Sequence, residues 1–342
     1  MDTTRRRGAG LGLAVLSAAT FGTSGSFATS LINAGWSPAA AVTARIVIAA
    51  VVLTVPALFV LRGRWALLVS TARNTLVYGL FAVAGAQLCF FNALSHLSVG
   101  VALLLEYLGV LLVVGWLWLR HGHRPRRLTT IGAAVSVVGL ALVLDVTGSH
   151  HLDPIGVLWG LGAAVGLAVY FVLSAHDDEA LPPIAMAWAG MVVGGLGLLA
   201  LDLAGAFPVH ASAGDVRFLH HQMSWLVPVL GLSLLAAVLA YATGIDAARL
   251  LGAKVASFVG LTEVLFAVVF AWLFLGQLPR GVQIFGGVFI IAGVALVRID
   301  ELRAPAGETV AGEAVPSLDL SVSADRRLAA SAGRVGPGGG GV

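Results

Sequence analysis

Arg45, Gln87, Glu106 and Glu263 are polar side chains stranded in otherwise apolar runs. A carboxylate in such a place can take up a proton or hold a substrate ammonium group. Ionisable groups inside apolar spans are costly and usually mark a working site. At ~1.5 Å per helical residue, Arg45 and Gln87 lie roughly 10 Å, and Glu106 roughly 13 Å, from the same end of their runs. Three helices thus bring three polar groups to one level. Arg45 is expected to pair with Glu106, with Gln87 nearby, because an unpaired buried charge is expensive. The group would serve either as a polar patch in a transport cavity or as a static lock between helices. Glu263 sits near the middle of a later run, where it would either titrate during transport or hold a packing hydrogen bond. Asp246 and Lys254 fall near helix ends and read as interfacial residues.

The elements that must position these groups are written twice. Without a gap, Leu97, Val101, Ala102, Leu111 and Val114 fall on Leu251, Val255, Ala256, Leu265 and Val268, 154 residues on. The register continues through Trp118/Trp272, Gly122/Gly276, Pro125/Pro279, Arg126/Arg280, Gly132/Gly286 and Gly139/Gly293. Matches of Leu and Val are cheap in so apolar a chain, but shared Trp, Pro, Arg and Gly in one register indicate internal duplication. Glu106 falls opposite Gly260, and Glu263 opposite Gly109. Each half therefore supplies one carboxylate, offset by about one helical turn.

The chain has 342 residues, 58% hydrophobic and 11% charged, with a mean hydropathy of +0.96. Soluble domains carry about a quarter charged residues, so this is an all-α membrane protein embedded in a lipid bilayer. Apolar runs at Gly8–Ile32 and at about 37–61, 75–94, 97–119 and 127–145 make a first set of five transmembrane helices. Runs at about 154–174, 182–205, 224–246, 250–275 and 279–298 make a second set. The expected divisions are 1–148 and 149–300 for the two five-helix repeats and 301–342 for a polar, disordered cytoplasmic tail.

Arginine placement sets the expected orientation. With the N-terminus inside, Arg5, Arg6, Arg7, Arg62, Arg64, Arg73, Arg120, Arg124, Arg126, Arg127, Arg249, Arg298 and Arg303 fall in inner loops, and only Arg217 and Arg280 in outer ones. That bias predicts ten helices with both termini cytoplasmic. Acidic His176–Glu179 is an inner-loop exception that weighs little. Five helices per repeat is odd, so the second copy enters from the opposite face. Such inverted-topology repeats are the architecture of many secondary transporters, with a substrate site near the midplane and alternating access. Gly156/Gly160, Gly162/Gly166 and Gly190/Gly194 are GxxxG pairs that would allow close helix approach.

Other chemistry is thinly represented. The lone Cys89 excludes an intramolecular disulfide. His150, His151, His210, His220 and His221 fall in outer loops without helical ligand spacing, so no metal is expected. There is no HExxH, GxSxG or Walker motif. No cofactor is expected, a net charge of +3 spread over membrane loops is no nucleic-acid signature, and active transport would draw on a gradient.

The duplicated unit, with turns Gly122-His123-Arg124-Pro125 and Gly276-Gln277-Leu278-Pro279, resembles the EamA-type ten-helix exporters of the drug/metabolite transporter superfamily over residues 8–300. The segment Val101–Gly109 (VALLLEYLG) is similar to the threonine/homoserine exporter branch. The resemblance implies efflux of amino acids or related small metabolites across the inner membrane, by proton exchange. The family usually has proline where this chain has Val110 and Val264, and glutamate where it has His123 and Gln277. Without those prolines the fourth and ninth helices are expected to be straighter. A membrane-embedded enzyme would instead need a polar cluster at one interface, and a non-transporting scaffold would need no charges at depth.

Overall fold

A computed structural model describes residues 3–303 apart from 95, 98, 122–124, 144–152, 176–180, 220 and 277. The expected tail beyond residue 303, residues 122–124 of the first glycine turn, Gln277 of the second and the acidic loop lie outside the described residues. The first repeat comprises α1 (Thr3–Gly22), α2 (Ser24–Asn33), α3 (Pro38–Val60), the short α4 (Ala66–Ser70), α5 (Ala72–Val77) and a π-helical stretch π1 (Tyr78–Gly85). It continues through α6 (Ala86–Leu94), α7 (Val99–Tyr107), α8 (Gly109–His121) and α9 (Arg127–Val143). The second comprises α10 (Pro154–Ser174), α11 (Pro183–Leu203), a hairpin of β1 (Val216–Phe218) and β2 (His221–Met223), α12 (Leu226–Ser233) and π2 (Leu234–Leu239). It ends with α13 (Ala240–Gly260), α14 (Thr262–Leu275) and α15 (Gly281–Leu302).

Local sequence sets several boundaries. Ser37 caps α3 by accepting from the Ala40 N–H, and Asp153 caps α10 by accepting from the Ile155 N–H. Each is followed by a proline in the first turn, where its missing donor costs nothing. Among the described residues eight helices are long and apolar enough to cross a membrane, with Arg127–Val143 and Thr262–Phe274 as shorter apolar helices. The longest, Leu226–Gly260, bends at Gly252, whose φ of 76° favours glycine. Dividing it there gives segments consistent with the ten expected runs.

The fourth and ninth helices are interrupted even without proline. Each interruption stands two residues from the carboxylate, at Leu108 and Leu261. There the hydrogen bonding tightens: Leu108 N–H donates to the Leu105 carbonyl, and Leu261 N–H to that of Phe258. Close packing accompanies the interruptions. A Cβ on Gly109 would lie 2.6 Å from the Ala164 carbonyl oxygen, and one on Gly260 2.9 Å from Phe171.

Equivalent helices of the two repeats pack antiparallel. On α9 and α15, a Cβ on Gly132 would meet the Gly293 carbonyl at 2.8 Å, and one on Gly139 the Gly286 carbonyl at 2.7 Å. Since Gly132 is the repeat counterpart of Gly286 and Gly139 of Gly293, each glycine meets the counterpart of the other. On α3 and α11, Thr43 donates to Asp202 at 2.8 Å, and Trp188 Nε1 donates to Thr54 at 3.0 Å. Meanwhile α1 packs on α13 and α14, and α10 on α6, α7 and α8. These are the contacts of a pseudo-two-fold that inverts one repeat relative to the other. The GxxxG glycines also face close neighbours: Leu97, Leu105, Cys89, Ala86, Tyr78 and the Gly79 carbonyl.

The repeats diverge between their second and third helices. Pro38 and Pro183 are 145 apart, whereas Leu80–Gly85 and π2 are 154 apart. The nine extra residues lie in the segment that carries the β-hairpin. It closes one end of the bundle, with Trp36 Nε1 donating to the Ser212 carbonyl at 2.8 Å and Phe218 stacked 5.1 Å from Phe27.

Candidate functional site

Arg45, on α3, is 2% exposed. The expected ion pair with Glu106 does not form among the described residues. The guanidinium instead donates to Gln87 Oε1 at 2.7 Å, to Ser24 Oγ at 3.1 Å, and to the Ala236 carbonyl. Each acceptor marks an irregular helix. Ser24 opens α2 after a break in which Thr20 and Thr23 bond back to carbonyls of the preceding turn, a habit that bends helices. Gln87 follows π1, and Ala236 lies inside π2, where i+5 bonding leaves carbonyls under-used. One cation thus ties irregular segments of both repeats. Burial makes backbone carbonyls and an amide adequate partners for a positive charge, and a carboxylate is not required.

The corresponding place in the other half is filled differently. The 145-residue register puts Gly190 opposite Arg45. A Cβ at Gly190 would meet the Tyr78 ring at 2.5 Å, so glycine there makes room for a fully buried π1 aromatic. The pseudo-symmetry is broken where one repeat sends a cation across and the other receives the Tyr78 ring.

Inside this frame is a cavity of about 60 Å³, space for a few waters. It is lined by both repeats and holds Gln87, Glu106 and Glu263, three of the four residues singled out from sequence. Arg45 is not among the lining residues; it stands behind Gln87, with its guanidinium 5.9 Å from the Phe21 ring centre. Glu106 ends α7 and Glu263 begins α14, so the helix interruptions present both carboxylates. The Tyr107 hydroxyl lies against the Glu263 carboxylate.

Sequence reasoning missed the aromatic wall. Phe21, Tyr170, Phe171 and Tyr241 line the cavity with Tyr107. The Tyr170 ring lies 5.5 Å from Tyr241 and 4.9 Å from Phe171, and Phe21 lies 5.1 Å from Tyr241. One signal was available: Tyr241 is the 154-residue counterpart of Gln87, so both repeats offer the position just beyond the π-helix to the cavity. Lys254 and Asp246 are absent from the lining. No group of three or more metal-ligating side chains stands together among the described residues. His150, His151 and His220 lie outside them.

The two halves match the EamA-like transporter family separately, over residues 8–145 and 154–299. A solved structure titled only "Crystal structure of protein" superposes with a TM-score of 0.69 at 19% identity, covering 86% of this chain and 99% of that one, which supports the fold. No curated protein matches. Two family matches spanning most of a duplicated, membrane-spanning chain lead to one conclusion: this protein belongs to the EamA-like transporter family.

Proposed function

We propose that this transporter exports amino acids or related small metabolites across the inner (cytoplasmic) membrane by alternating access, in exchange for protons. The observation that carries the reading is the cavity between inverted halves, with one carboxylate from each. A carboxylate there can carry a proton in one direction and release it when substrate binds. The arginine bias of the loops supports cytoplasmic termini, and the Val101–Gly109 segment supports kinship with amino-acid exporters. Glu106 and Glu263 hold proton or substrate in this reading, Gln87 orients the substrate, and Arg45 fixes Gln87 and the repeat interface. The halves 1–148 and 149–300 act as the rocking units.

Transport by full-length protein in liposomes tests this directly. An outward gradient of a panel of labelled amino acids should drive counter-movement of protons, read by a trapped pH dye, and Glu106→Gln should abolish it. Flux with no proton movement would remove the coupling. Absence of flux for every compound, in protein shown to be folded, would remove the assigned substrate class.

A further inference from the structure

Resting on that transport reading and narrowing its substrates from amino acids to their amine relatives, we propose that the cavity selects small organic amines that carry a positive charge and no carboxylate, and disfavours the zwitterionic amino acids that share their side chains. The lining contains two acidic side chains and no Lys, Arg or His. The nearest cation, Arg45, is buried behind the wall, with three hydrogen bonds already made to protein groups. A substrate carboxylate entering this space would face Glu106 and Glu263 with no positive partner of its own, and an uncompensated buried charge is costly. An ammonium group meets the opposite situation. It has two carboxylates in the lining, with the rings of Phe21, Tyr170, Phe171 and Tyr241, and aromatic rings attract cations through their quadrupoles.

A second observation points to an absent ligand. The Tyr170 hydroxyl belongs to a side chain that lines the cavity and is only 5% exposed, and among the described residues the Ser17 hydroxyl beside it is the one protein group it is matched with. The neighbouring Ser17 hydroxyl gives its proton to the Ala240 carbonyl at 2.8 Å. A Cβ at position 244 would lie 2.0 Å from the Tyr170 oxygen, so Gly244 keeps that hydroxyl in place. A phenolic oxygen so placed can accept an ammonium N–H.

The test compares matched pairs small enough for this cavity that differ by one carboxylate: methylamine with glycine, and ethylamine with alanine. Binding to purified full-length protein is read by titration calorimetry and by the ligand-dependent rise in unfolding temperature. Each amine should bind about tenfold or more tightly than its amino acid, the ratio expected if stranding a carboxylate costs at least ~1.4 kcal/mol. Glu106→Gln and Glu263→Gln should each weaken amine binding, with Glu106→Asp retaining part of it in case the neutral variant folds poorly. Equal or tighter binding of the amino acids overturns the proposal. So does amine binding unchanged by either glutamine variant, or no binding of either amine. Counterflow in liposomes separates the two levels. An amine that binds without crossing defeats the transport reading alone, while alanine flux without amine binding defeats only the amine selectivity.

Discussion

Arg45 donates to Gln87 at 2.7 Å while also holding the Ala236 carbonyl of the opposite repeat, so a single buried guanidinium joins the segments beyond π1 and within π2. The arrangement depends on a fork of several donors, which lysine lacks. Arg45→Lys is therefore expected to behave like Arg45→Met. Each should lower the unfolding temperature, because every orphaned buried acceptor costs about 1–3 kcal/mol. Each should also abolish flux. Wild-type melting and flux in Arg45→Lys would show that charge alone suffices and that the three-point tie is idle.

The two carboxylates should separate by function. Glu106→Gln and Glu263→Gln each keep side-chain volume and remove only the ionisable group. Both are expected to fold and to lose proton-driven flux by at least about tenfold, as removal of a general acid–base group commonly does. Measuring uphill and downhill transport side by side decides this. If the double variant matched wild type in both, the cavity would have no role for a proton.

The α9–α15 crossing should be intolerant of even one methyl group. Gly139→Ala would set a Cβ about as close to the Gly286 carbonyl as the 2.7 Å found for an ideal Cβ there. Overpacking of this kind costs about 1–3 kcal/mol. Gly115→Ala on α8 meets nothing within 4 Å and should be neutral or stabilising by up to ~1 kcal/mol. Thermal unfolding of the two variants gives the comparison, and equal melting would refute the close contact.

Acid should loosen the start of α10. The Ile155 N–H, and then the His96 ring 2.8 Å away, hold the Asp153 carboxyl below the usual carboxylate range. A depressed native value means that its stabilisation is present above the unfolded value of about 3.9 and is lost as pH falls through the native one. Hydrogen exchange in the first turn of α10 should rise below about pH 4 in wild type. Asp153→Asn, which still caps the helix, should flatten that rise.

Much of this molecule was legible because duplication is a property of side-chain identity. The 154-residue register located equivalent helices, and helical rise placed Arg45 and Gln87 at one level, where they do touch. What the sequence hid were backbone events. No residue type announces the π-helical turn at Ala236, so the partner of Arg45 was sought among carboxylates when it was a carbonyl. The interruptions at Leu108 and Leu261 occur without proline, because tight packing at Gly109 and Gly260 accompanies a hydrogen-bond pattern no single residue dictates. Tyr170 lines the cavity through an ordinary helix position and became visible only once α10 was docked on the first repeat.

The glycine crossing of α9 and α15 also bears on ancestry. Because Gly132 meets Gly293 and Gly139 meets Gly286, the surface is its own complement: a five-helix protein displaying it can pair with an upside-down twin. A half-length chain inserted in both orientations would present the same complementary surface to its twin before any fusion. Joining two genes then had only to supply a tether, after which each half was free to lose its twin's residues. Arg45 matched by Gly190 packed on Tyr78, and Glu106 matched by Gly260, are the marks of that freedom.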